Sequence, residues 1–177
     1  MKKIILLGRS DDSKIKTRLL SEFNTKFKAD SIPLPEGELV ILSNLNSPRK
    51  DNILLLQLSD ISGINIKNAI VIIKEKEILL TPLQLDESIY LLLNSDNEAQ
   101  LKSVEGQKIP VITCGLSPKD TITFSSKDSD KSVVSLQRSL PSGSNIIEPM
   151  EIIVESKNDS EYTMLATVAT GLILGLY

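Results

Sequence analysis

The sequence predicts an α/β domain built on a mainly parallel sheet, with a small three-stranded antiparallel patch near residues 120–155. Three observations point there. Apolar runs of strand length recur without alternation, the mark of strands covered on both faces. The first run leads through a polar turn into a segment of helical period. Beyond residue 116 the texture changes to partial alternation interrupted by hairpin-like links.

Residues 3–7 form the first run, and Gly8 ends it. Residues 9–13 are polar, and Asp11, Asp12 or Ser13 can each cap a following helix. Ile15, Leu19, Leu20 and Phe23 then fall on one helical face. Residues 29–37 contain Pro33, Pro35 and Gly37 and read as a loop. Runs at 39–42, 53–58, 69–73, 89–93 and 111–114 read as five more strands. Ser95 and Glu98 predict a capping box, where hydroxyl and carboxylate each take up an open backbone donor, before a helix through Leu101 and Val104. Residues 121–125, 132–138 and 146–155 predict the antiparallel strands, with Ile122 and Phe124 on one face and Ile152 and Val154 on another. Asn158 and Glu161 predict a second capping box, opening the last helix. The whole reads as a single domain, 1–177: an α/β core over 1–116, an antiparallel sub-sheet over 117–157 and a closing helix over 158–177. Three helices are too few to cover such a sheet, so loops or a partner chain are expected to supply the rest.

Composition narrows the chemistry. A chain of 177 residues that is 41% hydrophobic but 3% aromatic must pack its core with Leu, Ile and Val. Twenty basic against 23 acidic residues, net −3, argue against a nucleic-acid partner, where a basic surplus is the usual footprint. The absence of His removes the Ser-His and Cys-His nucleophile pairs and every His-containing metal site. One cysteine, Cys114, excludes an internal disulfide and reads as a small buried hydrophobe. The opening run IILLG falls short of the roughly 7–15 apolar residues of a signal peptide. Residues 163–177 carry no charge but fall short of the ~20 residues that cross a bilayer, so they read as a buried helix and not a membrane span. A cytoplasmic setting is the expectation. Lys74, Glu75, Lys76 and Glu77 read as a solvated turn, and Lys131 and Arg138 as an exposed sheet face.

One motif is almost complete. Aligned on Gly8, the phosphate-loop pattern G-x-x-x-x-G-K-[ST] places its second Gly on Ser13, its Lys on Lys14 and its hydroxyl on Ile15. The frame of strand, loop, helix and lysine is kept. The second glycine, which lets backbone N–H groups reach a phosphate, and the hydroxyl that ligates Mg²⁺ are lost. Asp11 and Asp12 put negative charge where a phosphate would lie. The motif alone reads as a turn with helix caps.

The segments LLLQLSD at 54–60, AIVII at 69–73, YLLLNSDNE at 90–98 and VITCGL at 111–116 change that weighing. With NDSEYTMLATVATGLILGL at the end, their order resembles the ATP-binding middle domain of the Mur ligase family, which adds amino acids during peptidoglycan assembly. The resemblance covers nearly the whole chain and implies that domain's phosphate-loop α/β fold. It implies that Gly8, Ser13 and Lys14 are remnants of the phosphate loop, and that Asn94 and Asp96 match the N-x-D-D segment that approaches adenosine. The bare residues permit the plainer reading that Asn94 and Asp96 cap a helix. The family's metal-site Glu is Gln57 here, a poorer ligand for a hard cation. The D-H-L-D motif and the leading His of the final helix are missing, and so are the flanking substrate domains. These losses together imply a fold retained without catalysis: no catalytic residue, no metal site, no required cofactor, and work done by binding or scaffolding with an unidentified protein partner or a second copy. A nucleotide-binding module, for ATP or a nucleotide-sugar, and a partner-dependent ligase subunit with ATP and Mg²⁺ are the alternatives.

Overall fold

In the computed structural model, residues 2–35, 37–46, 52–61, 66–78, 85–106, 108–142, 145–156 and 158–177 are described. Strand β1 (Lys2–Leu7) leads into helix α1 (Lys14–Phe23), followed by β2 (Phe27–Leu34), β3 (Gly37–Asn44), β4 (Ile53–Leu58), β5 (Ala69–Ile73) and β6 (Tyr90–Asn94). Helix α2 (Glu98–Ser103) and β7 (Val111–Cys114) precede the strands β8 (Ile122–Lys127), β9 (Lys131–Leu136), β10 (Leu140–Ser142), β11 (Asn145–Ile147) and β12 (Met150–Glu155), and helix α3 (Glu161–Leu174) closes the chain.

The fold is a mainly parallel, mixed α/β sheet with few helices. Ten strands lie in the order β12-β9-β8-β7-β6-β5-β1-β4-β3-β2, and β10 and β11 form a separate antiparallel pair. Strands β4, β1, β5, β6, β7 and β8 run parallel to their neighbours within that block. The sequence order reverses at β1, which sits between β4 and β5. Such a reversal opens a crevice at the carboxyl ends of the strands, where ligands of open α/β sheets gather. The loop after Gly8 lies there.

One expectation needs correcting. Residues 29–34, read as part of a loop, belong to β2, antiparallel to β3, which starts at Gly37. Pro33 is tolerated because β2 is an edge strand with one free side, where a missing N–H costs no ladder bond. The three-stranded antiparallel patch is present as β8, β9 and β12, and it joins the main sheet through the pairing of Cys114 with Ile122.

Helices α1 and α3 pack together on one face, over Ile4, Leu6, Leu55, Ile72 and Leu92. Helix α3 is buried from Tyr162 to Leu174, which is why an uncharged sequence forms a helix in this core. At about 1.5 Å per residue it spans about 21 Å, and among the described residues no helix is long and apolar enough to cross a membrane. Gly175 ends it in the left-handed conformation at φ 70°, returning N–H groups to Gly171 and Leu172. Arg18, buried on α1, pairs with Glu22 of the same helix (2.7 Å) and with Asp159 just before α3 (2.8 Å), and the second pair ties the two helices. The opposite face, centred on Ile5, Leu7, Val71, Ile73, Leu91 and Leu93, is covered by residues such as Ile61, Ile66, Leu85, Val104 and Ile109, which lie in connections. Loops do supply cover that helices do not.

Neither predicted capping box forms. Asn97, not Ser95, caps α2, its carbonyl oxygen accepting Ala99 N–H at 3.1 Å. Ser160, not Asn158, caps α3, accepting Thr163 N–H at 3.3 Å. Glu98 and Glu161 instead stand first in their helices, where a carboxylate favours the positive end of the helix dipole.

Candidate functional site

The loop after β1 is built around a glycine that needs to be one. Gly8 extends the ladder by donating its N–H to Leu58 O at 2.9 Å. Its φ of 133° is a conformation that side-chain-bearing residues rarely adopt. A Cβ here would stand 2.7 Å from Glu77 Oε2. The glycine therefore makes room for a carboxylate of the chain itself.

The loop's polar groups are turned to partners within the protein. Arg9 N–H donates to Glu77 Oε2 at 3.1 Å. Arg9 O accepts from the Lys74 ammonium and from Asp12 N–H at 3.3 Å. Ser10 O accepts from Gln57 Nε2 at 2.6 Å. Lys14 N–H, at the start of α1, donates to Asp12 Oδ1 at 3.2 Å. Ser13 holds the capping position of α1 without a side-chain bond to it. A phosphate cradle points N–H groups at its ligand; here the carbonyls of Arg9 and Ser10 face donors rising from the sheet, and the N–H groups of Arg9 and Lys14 are spent on carboxylates.

Lys74, Glu75 and Glu77 correct the expectation of a solvated turn. Lys74 is 2% exposed at the end of β5. Burial pulls its ammonium below the ordinary lysine range, opposed by the charges of Asp12 and Glu77. The turn is bolted down by Gln100, fully buried on α2. Its amide nitrogen donates to Lys74 O (2.8 Å), Glu77 O (3.0 Å) and Glu75 O (3.3 Å), and its oxygen accepts Asn94 N–H at 2.9 Å. Glu75 accepts from the α3 cap, Ser160 Oγ, at 2.8 Å. Sequence reasoning missed this assembly because a run of alternating charge looks solvated; the burying residues come from α2 and α3.

Asn94 and Asp96 sit at the end of β6, and both are occupied by the fold. Asn94 Oδ1 accepts Asp96 N–H at 3.0 Å, and the Asp96 carboxylate accepts Leu116 N–H at 3.2 Å. They shape the β6–α2 loop and fasten it to the loop after β7. Neither caps α2 itself. Gly8 and Ser13 thus lie in one loop with Lys14 at the helix start it leads into, while Asn94 and Asp96 lie at the end of β6, joined to the Lys74–Glu77 turn through Gln100. A shallow cleft of about 340 Å³ remains over the loop, lined by Arg9, Lys14, Lys74 and Lys76 with Asp11, Asp12 and Glu77. Arg9 and Asp11 pair across its exposed rim at 2.5 Å, which holds the Asp11 carboxyl below its ordinary range.

The residues present do not fit a magnesium triphosphate. Gln57 is buried and uncharged, with its amide nitrogen committed to Ser10 O and its Oε1 without a partner among the described residues. Ile15, where the motif has a hydroxyl, is 3% exposed in the core. Among the described residues no three His, Cys, Asp or Glu side chains converge to hold a metal ion. Cys114 is buried at the end of β7, and burial together with Asp120 raises its thiol far above the usual range.

No protein-family model matches the chain, and no curated protein matches it. Among solved structures it is similar to the G domain of the FeoB iron transporter of T. maritima, at 18% identity over 65% of this chain and 87% of that one, with a TM-score of 0.33. It is also similar to a GDP-bound point mutant of the S. thermophilus FeoB G-domain, at 12% identity over 65% of this chain and 55% of that one, with a TM-score of 0.30.

Proposed function

We propose that this chain is a non-catalytic domain of the Mur-ligase middle-domain kind, acting by binding or scaffolding and not by phosphoryl transfer. The observation that carries this reading is the closed loop. Phosphoryl transfer depends on donors and a metal ion arranged around the transferring group. Here the Arg9 and Ser10 carbonyls are held by Lys74 and Gln57, and a carboxylate lies against Arg9 N–H. The Mur kinship and its cell-wall setting rest on the order of sequence segments. Action through protein contacts is supported by a half-open apolar row, Ile32, Leu39 and Leu56, set side by side by the strand register. Ile32 at its edge is 45% exposed.

A second reading, a nucleotide-binding module without turnover, is favoured by one observation: four cationic side chains line the cleft at the point where the strand order reverses. Calorimetric titration with ATP or GTP and Mg²⁺, paired with a hydrolysis assay, separates the two. The first reading expects no saturable heat and no thermal shift at millimolar nucleotide. Saturable heat without hydrolysis supports the second; a ligand tenfold above its dissociation constant would stabilise the fold by ~1.4 kcal/mol. Magnesium-dependent hydrolysis overturns both.

A further inference from the structure

We propose that Glu77 is an internal ligand of the Gly8 loop, and that withdrawing its carboxylate uncovers a site for a small phosphate-type oxyanion. The proposal rests on the reading that the loop holds no nucleotide as it stands. It adds that one replaceable side chain covers the loop's Arg9 N–H.

Three features place Glu77 as an occupant and not a bystander. Its Oε2 takes Arg9 N–H at 3.1 Å and fills the space that the missing side chain of Gly8 leaves open. Its backbone is fixed on both sides, Glu77 N–H donating to Lys74 O at 3.0 Å and Glu77 O accepting from Gln100 at 3.0 Å. The turn carrying it is anchored to α2 by Gln100 and Asn97 and to α3 through Glu75 and Ser160. A carboxylate held this firmly over a loop amide does what a bound anion would do.

The cleft beneath it is cationic once Glu77 is discounted. Arg9, Lys14, Lys74 and Lys76 line it against three carboxylates; without Glu77, two remain. Lys74 is the distinctive member. Its buried ammonium gives one hydrogen bond to Arg9 O and carries three N–H donors, so it can serve a second oxygen without leaving its place. A charge-assisted hydrogen bond of ordinary strength corresponds to a closed-to-open ratio of about ten to a hundred, and the closed state weakens apparent affinity by that factor.

The test titrates wild type, Glu77→Ala and Glu77→Gln with inorganic pyrophosphate by calorimetry, while backbone amide spectra follow Arg9. Glu77→Gln keeps the shape of the side chain and carries the test should Glu77→Ala fail to fold. Both folded variants are expected to bind pyrophosphate about ten to a hundred times more tightly than wild type, with a saturable shift of the Arg9 amide. If neither wild type nor the variants bind pyrophosphate saturably, the internal-ligand proposal is overturned and the closed-loop reading stands. Binding that leaves the Arg9 amide unmoved overturns it too, since the anion then sits elsewhere. Wild type binding pyrophosphate as tightly as the variants would overturn the proposal and count against the closed-loop reading as well.

Discussion

Replacing Gln100 by Glu exchanges one NH₂ for one oxygen at the buried bolt of the Lys74–Glu77 turn. The acceptor for Asn94 N–H survives, whereas the donor to Lys74 O, Glu75 O and Glu77 O becomes a negative charge facing three carbonyl oxygens. Gln100 is fully buried, so the new carboxylate has no water to turn to. A carboxyl so placed is driven to protonate, and its folded-state pKa rises above the unfolded value of about 4.3. The sign follows. Between those two pKa values the folded state binds the extra proton, so the variant loses stability as pH rises, at about 1.4 kcal/mol per pH unit. Near pH 4 the neutral acid can still donate to one carbonyl, and the cost relative to wild type is about 1–2 kcal/mol for the remaining lost bonds. Near pH 7.5 the cost grows to about 4.5–5.5 kcal/mol if the folded-state pKa rises to about 7.3, a large share of the ~5–15 kcal/mol that holds such domains folded. Urea unfolding of both proteins at several pH values measures the difference directly. A penalty under about 1 kcal/mol that does not change with pH would refute the claim that this amide is buried against the turn.

Other expectations follow from the same geometry. Gly8→Ala should destabilise the fold by about 1–3 kcal/mol, because φ 133° strains any residue with a Cβ; in a Glu77→Ala background, where the 2.7 Å clash is gone, urea unfolding should show a smaller cost. Cys114 should resist thiol reagents in the native protein and react fully after denaturation, since burial keeps the thiol protonated; rapid native labelling would contradict its position under α3. Glu38, held below the ordinary glutamate range by Lys16 and then Ser31, contributes stability that is present above its unfolded pKa and lost as pH falls through its lowered folded value. Glu38→Gln should therefore flatten the acid limb of the stability profile, and an unchanged limb would count against the pairing.

How far the sequence is legible depends on whether the deciding contacts are local. The buried parallel strands announce themselves because both faces are covered, as in the fully buried run Ala69–Ile73. Edge strand β2 does not, because its face is exposed and it carries Pro33, so its pairing with β3 overrides what its residues suggest. At NSDN four consecutive residues can cap a helix; Asn97 takes that position while Asn94 and Asp96 are drawn into loop contacts with Gln100 and Leu116. The phosphate-loop frame and its losses at Ser13 and Ile15 are readable from spacing. What fills the loop is not, since Lys74, Glu77 and Gln57 lie 47 to 69 residues from the groups they touch.

The closed loop is tested most directly by the backbone amide spectrum of the wild-type protein with and without millimolar nucleotide and Mg²⁺. The Gly8, Arg9 and Lys14 resonances should stay in place, and the Arg9 amide, held by Glu77, should exchange slowly with solvent. Saturable movement of those three resonances in wild type, with the rest of the spectrum unchanged, would contradict the closed loop.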